Sequence, residues 1–369
     1  MADESHMSLA LEQARKAWGH THPNPMVGAV IMEAGKVVAT GFHKAAGQAH
    51  AEIDALQNLG RRPESDAILY VTLEPCCTQG RTPPCTRAIL DAGIRKVHIG
   101  TTDPNPDVGG RGIQQLRKAG AEVHTGLLED ACRDLNLVYN HWVSNQGLPI
   151  LAGKVATTLD GFTATHTGHS QWITSEAARK DVMRWRRLFP AIAVGAGTIV
   201  ADDPSLTSRQ DGDQPWCPTR FVFDSQLSTW SASRKVFDDE HSRHTILVTT
   251  QKAPADSIAT ATEAGIRCWQ LPSKDGRPCL QAFREKCREA ALCGVLVEGG
   301  TRLLSSLLNQ GQLDYLFAYR APKILGDPSA QPVFQDRHAD TLGNAVRLTE
   351  IHHATFGDDQ LLRGHIAQP

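Results

Sequence analysis

Across residues 1–149 the apolar positions alternate between two periods, and each change of period marks an element. Met7, Ala10, Leu11, Ala14 and Trp18 recur at helical spacing and predict an amphipathic helix over residues 5–18. His22-Pro23-Asn24-Pro25 breaks it. Val27–Ile31 and Val37–Gly41 then read as two strands joined by a turn through Glu33, Ala34 and Gly35. His50–Leu56 opens a second helix, and the β-branched run Ile68–Leu73 reads as a buried strand that Pro75 closes. Beyond it the pattern predicts a helix over Thr86–Ala92, a strand at Val97–Gly100, a helix over Ile113–Ala119, a short strand from Val123 and a closing helix over Leu135–Trp142. Strands alternating with helices imply a sheet covered on both faces.

Asn145–Pro149 reads as a linker, after which the pattern restarts. Strands are expected at Ile150–Ala156, Ala191–Gly195, Arg220–Phe223, Thr245–Thr249 and Gly294–Val297, with Leu159-Asp160-Gly161 as a turn. Helices are expected at Glu176–Leu188, where Ser175 or Thr174 supplies the cap, and at Leu303–Leu308. Apolar runs at Tyr315–Tyr319 and Ala345–Leu348 predict strands outside a simple strand–helix alternation. A chain of 369 residues exceeds one ordinary core, so two α/β domains are expected.

Composition narrows the classes. An apolar fraction of 41% fits a globular protein, and 38 basic against 40 acidic residues gives no basic surface for nucleic acid or membrane. No apolar run approaches a membrane span, and the acidic N-terminus is unlike a signal peptide. Nine cysteines without a regular framework suggest a reducing compartment, so a cytoplasmic location is expected. A homodimer or larger homo-oligomer is the default for such a protein.

Residues 50–85 carry the strongest candidate chemistry. His50-Ala51-Glu52 is followed by Glu74-Pro75-Cys76-Cys77 and, after a glycine and two prolines, by Cys85. One imidazole and two thiolates leave a fourth tetrahedral position open, as catalytic zinc needs. His-x-Glu with a later Pro-Cys and second Cys is the pattern of zinc nucleobase deaminases. Here eight residues separate Cys76 from Cys85, where the usual form has two. By spacing alone Cys77 can stand in for Cys76, but Cys76 directly follows Pro75. Glu52, too near His50 to be expected as a ligand as well, is placed to carry protons from water to a ring nitrogen and then to departing ammonia.

Other candidates are weaker. Asn24, between two prolines, can read a donor and an acceptor on a base, or merely cap the turn. Gly299-Gly300-Thr301 and Gly195-Ala196-Gly197-Thr198 each join a strand to a helix and can admit a phosphate, although tight packing explains either as well. Neither is the dinucleotide fingerprint of a doubly wound fold. Lys154, Arg186 and Arg209 can neutralise phosphates or lie on solvated surface, and Asp202 and Glu298 can hold sugar hydroxyls.

These motifs, taken in order, resemble the family of bifunctional riboflavin-biosynthesis proteins that join a pyrimidine deaminase to a reductase. The resemblance runs over essentially the whole chain. It is carried by Asn24–Gly28, His50-Ala51-Glu52, Thr72–Cys76 through Gly80–Cys85, Asp103–Pro106, Lys154–Gly161, Trp172-Ile173-Thr174, Asp202–Thr207 and Val297–Gly300. It implies an N-terminal cytidine-deaminase-like α/β/α sandwich over residues 1–146 and a C-terminal dihydrofolate-reductase-like α/β domain over 149–369. It further implies a small phosphoribosylaminopyrimidine substrate, one Zn2+ per chain on His50, Cys76 and Cys85, Glu52 as proton shuttle, and NADPH as hydride donor. By motif, Ala156, Trp172, Thr198, Asp202, Thr249 or Thr250, and the run Gly300, Thr301, Arg302, Leu303, Leu304, Ser305 and Ser306 would meet the cofactor. Ser170, Arg186, Leu206, Arg209 and Glu298 would meet the phosphoribosyl substrate, with Arg186 and Arg209 as phosphate clamps. Two positions depart from the pattern: Cys77-Thr78 stands where a small polar residue and His are usual, and Pro190 precedes Ala191 in place of a polar or acidic residue.

Overall fold

The structure, a computed structural model, describes residues 2–78, 83–209 and 216–368. Gly80, Arg81 and Thr82 of the cysteine motif lie outside the described residues. The chain divides into two units, Met1–Gly147 and Leu148–Pro369.

The first unit is built from α1 (Ala2–Arg15), β1 (Gly28–Glu33), β2 (Lys36–Phe42), α2 (Ala51–Leu59), β3 (Ile68–Leu73), α3 (Cys85–Ala92), β4 (Lys96–Thr101), α4 (Arg111–Lys118), β5 (Glu122–Thr125), α5 (Glu129–Leu135) and α6 (Leu137–Ser144). Its sheet has the order β2-β1-β3-β4-β5, with β1 antiparallel to both neighbours and β3, β4 and β5 parallel. Two glycines show why helices cover both faces. A Cβ on Gly28 would lie 1.9 Å from the Ala10 carbonyl oxygen of α1, and one on Gly41 2.2 Å from the Ala55 nitrogen of α2. Gly41 pairs with Ala29, the neighbour of Gly28, and successive strand residues face opposite ways. Hence α1 and α2 lie on opposite faces, the expected α/β/α sandwich. The predicted first helix stops at Arg15, so Trp18 falls in the following turn.

The second unit contains β6 (Ile150–Thr157), β7 (Phe162–Ala164), α7 (Glu176–Leu188), β8 (Ala191–Gly195), α8 (Ala196–Asp202), β9 (Thr219–Phe223), α9 (Lys235–Asp238), β10 (Thr245–Thr250), α10 (Ala255–Glu263) and β11 (Arg267–Leu271). A small ribbon, β12 (Ser273–Lys274) and β13 (Arg277–Pro278), leads to α11 (Leu280–Glu289), β14 (Gly294–Val297), α12 (Thr301–Asn309), β15 (Tyr315–Arg320), β16 (Gln331–Pro332), β17 (Arg347–Phe356) and β18 (Asp359–Ala367). The main sheet runs β11-β10-β9-β8-β14-β6-β15-β18-β17, parallel from β11 to β15 and antiparallel at β18 and β17. The central strands β8 and β14 are apolar throughout because both faces are buried. Ala191, Ala193, Phe221, Ile246 and Val248 pack on one side, and their neighbours Ile192, Val194, Val222 and Leu247 on the other. Of the two candidate caps for α7, Ser175 does the work: its Oγ accepts the Ala178 N–H at 3.3 Å.

Candidate functional site

In the first unit the end of β3 and the starts of α2 and α3 converge. His50 precedes the first residue of α2, Cys85 opens α3, and Cys76 follows the end of β3. His50 Nδ1 lies 3.5 Å from Cys76 Sγ and 3.3 Å from Cys85 Sγ, and all three donor atoms fall within 4.8 Å of one another. The Cys85 N–H, free at the helix start, donates to Cys76 Sγ at 3.3 Å. The two thiols and the imidazole share protons. Contact with the Cys85 thiol and with His50 pulls the Cys76 thiol down, that same contact together with burial pushes Cys85 up, and the Cys76 sulfur holds the proton on His50. This set can hold a metal ion. Cys77, the alternative by spacing, is not in it.

Glu52, in the first turn of α2, is only 3% exposed, and burial pushes its carboxyl up to about 7. A carboxyl poised there can both accept and return a proton. Asn24 reaches the same place through His43, whose ring stands edge-on to His50 at 5.4 Å. His43 Nδ1 lies 3.0 Å from the Ala49 carbonyl oxygen, which fixes the donor on Nδ1; Nε2 therefore accepts from Asn24 Nδ2 at 3.1 Å. That turns the Asn24 side-chain oxygen away from His43, free to accept from a ligand.

Glu74 holds this corner together. Its carboxylate accepts the N–H groups of Asp103 at 3.1 Å, Gly110 at 2.8 Å and Ile113 at 3.1 Å, tying the turn before α4 to the strand end that carries Cys76. Glu74→Leu strands those donors and is expected to lower the stability of the first unit by about 3 kcal/mol or more. Urea denaturation followed on that unit reads the loss; a midpoint equal to that of the parent chain would mean the tie is not Glu74.

In the second unit a cavity of about 950 Å³ opens at the carboxyl ends of β6, β8, β9 and β14, the usual place for a ligand on a parallel sheet. Ala156, Ser170, Thr198, Asp202, Glu298, Gly300, Thr301, Arg302, Leu303, Leu304 and Ser306 all stand on its wall. Arg186 Nε and Nη2 meet Glu298 Oε1 and Oε2 at 2.5 and 3.0 Å, and Lys154 Nζ lies 3.8 Å from Oε2. Burial alone would raise Glu298, but the Arg186 charge and hydrogen bonds, with Lys154, hold its carboxyl below the usual range. Burial pulls the Lys154 ammonium down.

Several residues assigned by motif are engaged within the chain or lie off this wall. Arg186 spends its guanidinium on Glu298 and on the Thr207 carbonyl, 3.0 Å from Nη1, so it holds a carboxylate in place instead of standing open as a phosphate clamp. Thr250 is buried and donates to the Ser225 carbonyl at 3.1 Å, as Thr249 does; the wall residue there is Ser225. Ser305 points inward and accepts the Gln335 N–H. Leu206 is buried in the core. Arg209 and Trp172 are exposed and off the wall, Trp172 stacking on the Arg179 guanidinium at 4.4 Å. Lys154, Asp224, Ser225 and Arg277 are wall residues beyond the motif assignment. Only Lys154 had a local sign, a cation on an otherwise apolar strand; the others arrive by topology.

Comparison with known proteins covers both units. Residues 1–101 match the family model for the cytidine and deoxycytidylate deaminase zinc-binding region, and residues 149–362 match the RibD C-terminal domain. The riboflavin biosynthesis protein RibD of Aquifex aeolicus is 40% identical over 325 residues, covering 88% of each chain. That of Actinobacillus pleuropneumoniae is 37% identical across 100% of this chain and 96% of its own. The crystallised Thermotoga maritima diaminohydroxyphosphoribosylaminopyrimidine deaminase/5-amino-6-(5-phosphoribosylamino)uracil reductase superposes with a TM-score of 0.81 at 32% identity, over 99% of both chains. With relatives this similar along its entire length, and with a deaminase zinc-binding region ahead of a RibD C-terminal domain, the chain belongs to the RibD family of riboflavin-biosynthesis proteins.

Proposed function

We propose that the chain carries out two successive steps of riboflavin biosynthesis. The first unit, over residues 1–146, hydrolyses an amino group from 2,5-diamino-6-(5-phosphoribosylamino)pyrimidin-4(3H)-one. The second, over 149–369, reduces the ribosyl side chain of the product to ribityl with NADPH, giving 5-amino-6-(5-phosphoribitylamino)uracil. The observation that carries the reading is a buried carboxyl, Glu52, set beside a His50, Cys76 and Cys85 triad in a chain that also holds a large cavity on a parallel sheet.

The triad fits zinc. Ordinary Zn–N and Zn–S lengths at tetrahedral angles put the two donor atoms about 3.6 Å apart, and the His50–thiol distances are 3.5 and 3.3 Å. When bound, zinc supplies the acidity that readies water for attack, and NADPH supplies the hydride. The rest falls to the chain. Glu52 takes a proton from water and delivers it to the ring nitrogen, then takes the second proton from the hydroxyl newly bonded to the ring carbon and gives it to the departing ammonia as the carbonyl forms and the C–N bond breaks. Asn24, its amide fixed by His43, accepts from the pyrimidine. In the second unit Gly300 enters α12 without a side-chain cap, so the first N–H groups of that helix can take the cofactor diphosphate, with Thr198 and Ala156 beside it. Ser170 and the Glu298 carboxylate, steadied by Arg186 and Lys154, face the sugar.

Ammonia release and NADPH oxidation followed together on the diaminopyrimidine test the assignment. NADPH should be consumed only after ammonia appears, and at once when the deaminated compound is supplied. NADPH consumption by the untreated diaminopyrimidine with no ammonia formed would contradict it.

A further inference from the structure

Two guanidiniums, Arg277 and Arg302, line the second-unit cavity. Arg302 and Ser306 are four residues apart on α12 and therefore neighbours on one face of the helix. From β13, Arg277 reaches the same face and donates Nη1 to Ser306 Oγ at 2.7 Å. Arg277, Arg302 and Ser306 all line the cavity. Among the described residues neither arginine has an ion-pair partner. Of the three described carboxylates on the wall, two are committed elsewhere, and the third, Asp202 of α8, meets Gln171 Nε2 at 3.5 Å. Asp224 takes the N–H and hydroxyl of Thr229, each at 2.7 Å, and Glu298 is held by Arg186. Two unpaired like charges brought to one helix face from β13 and α12 repel each other, and a multiply charged anion between them relieves that repulsion.

The place of the pair within the cavity says which anion. Glu298 and Lys154 sit at the β14 and β6 side, where the sugar is reduced. Arg277 belongs to a ribbon beyond β11 in sequence, on the other side of β14 from β6, where β8, β9 and β10 follow in the sheet. Ser306, which Arg277 reaches, lies more than one turn along α12 from its glycine-bearing start, and β13 packs against β10, three strands from β14, so a dinucleotide that leaves its diphosphate at that start and its nicotinamide near Glu298 and Lys154 has its adenosine half toward Arg277. We infer that Arg277 and Arg302, with Ser306, bind the 2′-phosphate of the adenosine ribose and so make the reductase select the phosphorylated nicotinamide cofactor over the unphosphorylated one. This rests on the assignment of the cavity to a nicotinamide dinucleotide. A guanidinium can give a phosphate two parallel hydrogen bonds, whereas a ribose hydroxyl in its place leaves both charges unanswered.

Calorimetric titration of the full-length chain tests this, with NADPH, NADH, 2′,5′-ADP and 5′-AMP as probes. Arg277→Ala and Arg302→Ala should each weaken NADPH and 2′,5′-ADP by about 10- to 100-fold, the loss of one charge-assisted contact. Affinity for NADH and 5′-AMP should hold within about twofold. Arg277→Lys, which keeps the charge but not the fork, should recover part of the loss. A preference for NADPH over NADH that survives both alanine variants overturns the arginine assignment while leaving the dinucleotide reading intact. Equal weakening of NADPH and NADH also overturns it, since that is the mark of a role in packing. A parent chain that binds none of the four removes the dinucleotide reading and this inference together.

Discussion

Glu52→Gln is expected to lower deamination by about 10²- to 10⁴-fold, the usual contribution of a positioned acid–base group. Glutamine keeps the size of the side chain but cannot carry a proton between water and ring. The residue sits in the first turn of α2, buried to 3% exposure, and the amide can occupy that place without leaving a charge behind. The triad His50, Cys76 and Cys85 does not include it, so elemental analysis should still find one zinc per chain. Cys85→Ser makes the contrast. It removes a thiolate from the triad, and metal and ammonia release should fall together. A glutamine variant with the parent rate of ammonia release would exclude Glu52 as the proton carrier; one that had lost its zinc would make it a metal-holding residue instead.

The metal triad was legible because its signal is local: unusual residue types, prolines and glycine at fixed spacing. The reductase contacts were legible only in part. Residues that follow a strand on its exposed end, such as Thr198, Asp202 and Gly300, do line the cavity. Ser305, between wall residues on α12 but out of phase with them, faces the interior, and Thr249 and Thr250 are both spent on the Ser225 carbonyl, which a motif does not reveal. Arg186 shows a different limit. A basic residue in the last turn of a helix reads as exposed, and only the fold brings β14 alongside so that Glu298 can take it. Long-range ties were equally hidden. The helix expected over Leu135–Trp142 is interrupted at Asn136, whose amide bonds both the N–H and the carbonyl of Met26 at 2.7 and 2.9 Å. That one side chain separates α5 from α6 and pins the strand entry just after Asn24. The helix α5 itself has few apolar residues, and β18 mixes arginine, histidine and glutamine with leucine, so neither shows a clean period.

Arg186→Met should destabilise the second unit by about 3–5 kcal/mol, since it leaves a buried carboxylate without its main partner. In the parent chain Arg186 and Glu298 are 13% and 9% exposed and joined by two hydrogen bonds. Lys154, 3.8 Å away and itself weakened as an ammonium by burial, compensates only in part. The pH dependence separates this electrostatic cause from lost packing. In the parent the Glu298 carboxyl lies below its ordinary value, so its contribution is complete above the ordinary carboxylate range and is lost as pH falls through the lowered folded value. In the variant, burial is no longer outweighed and the same carboxyl moves up, so protonation relieves the folded state as pH falls. The difference between the two proteins should therefore be largest near about pH 7 and shrink towards about pH 4, where the unfolded carboxyl also titrates. Chemical denaturation of the second unit at both values measures it. Adding Glu298→Gln to the Arg186→Met chain removes the stranded charge and should recover much of the stability at neutral pH without restoring the reductase. A loss of equal size at both pH values would assign the effect to the packing of the Arg186 stem, and Glu298 would then not depend on Arg186 for its charge.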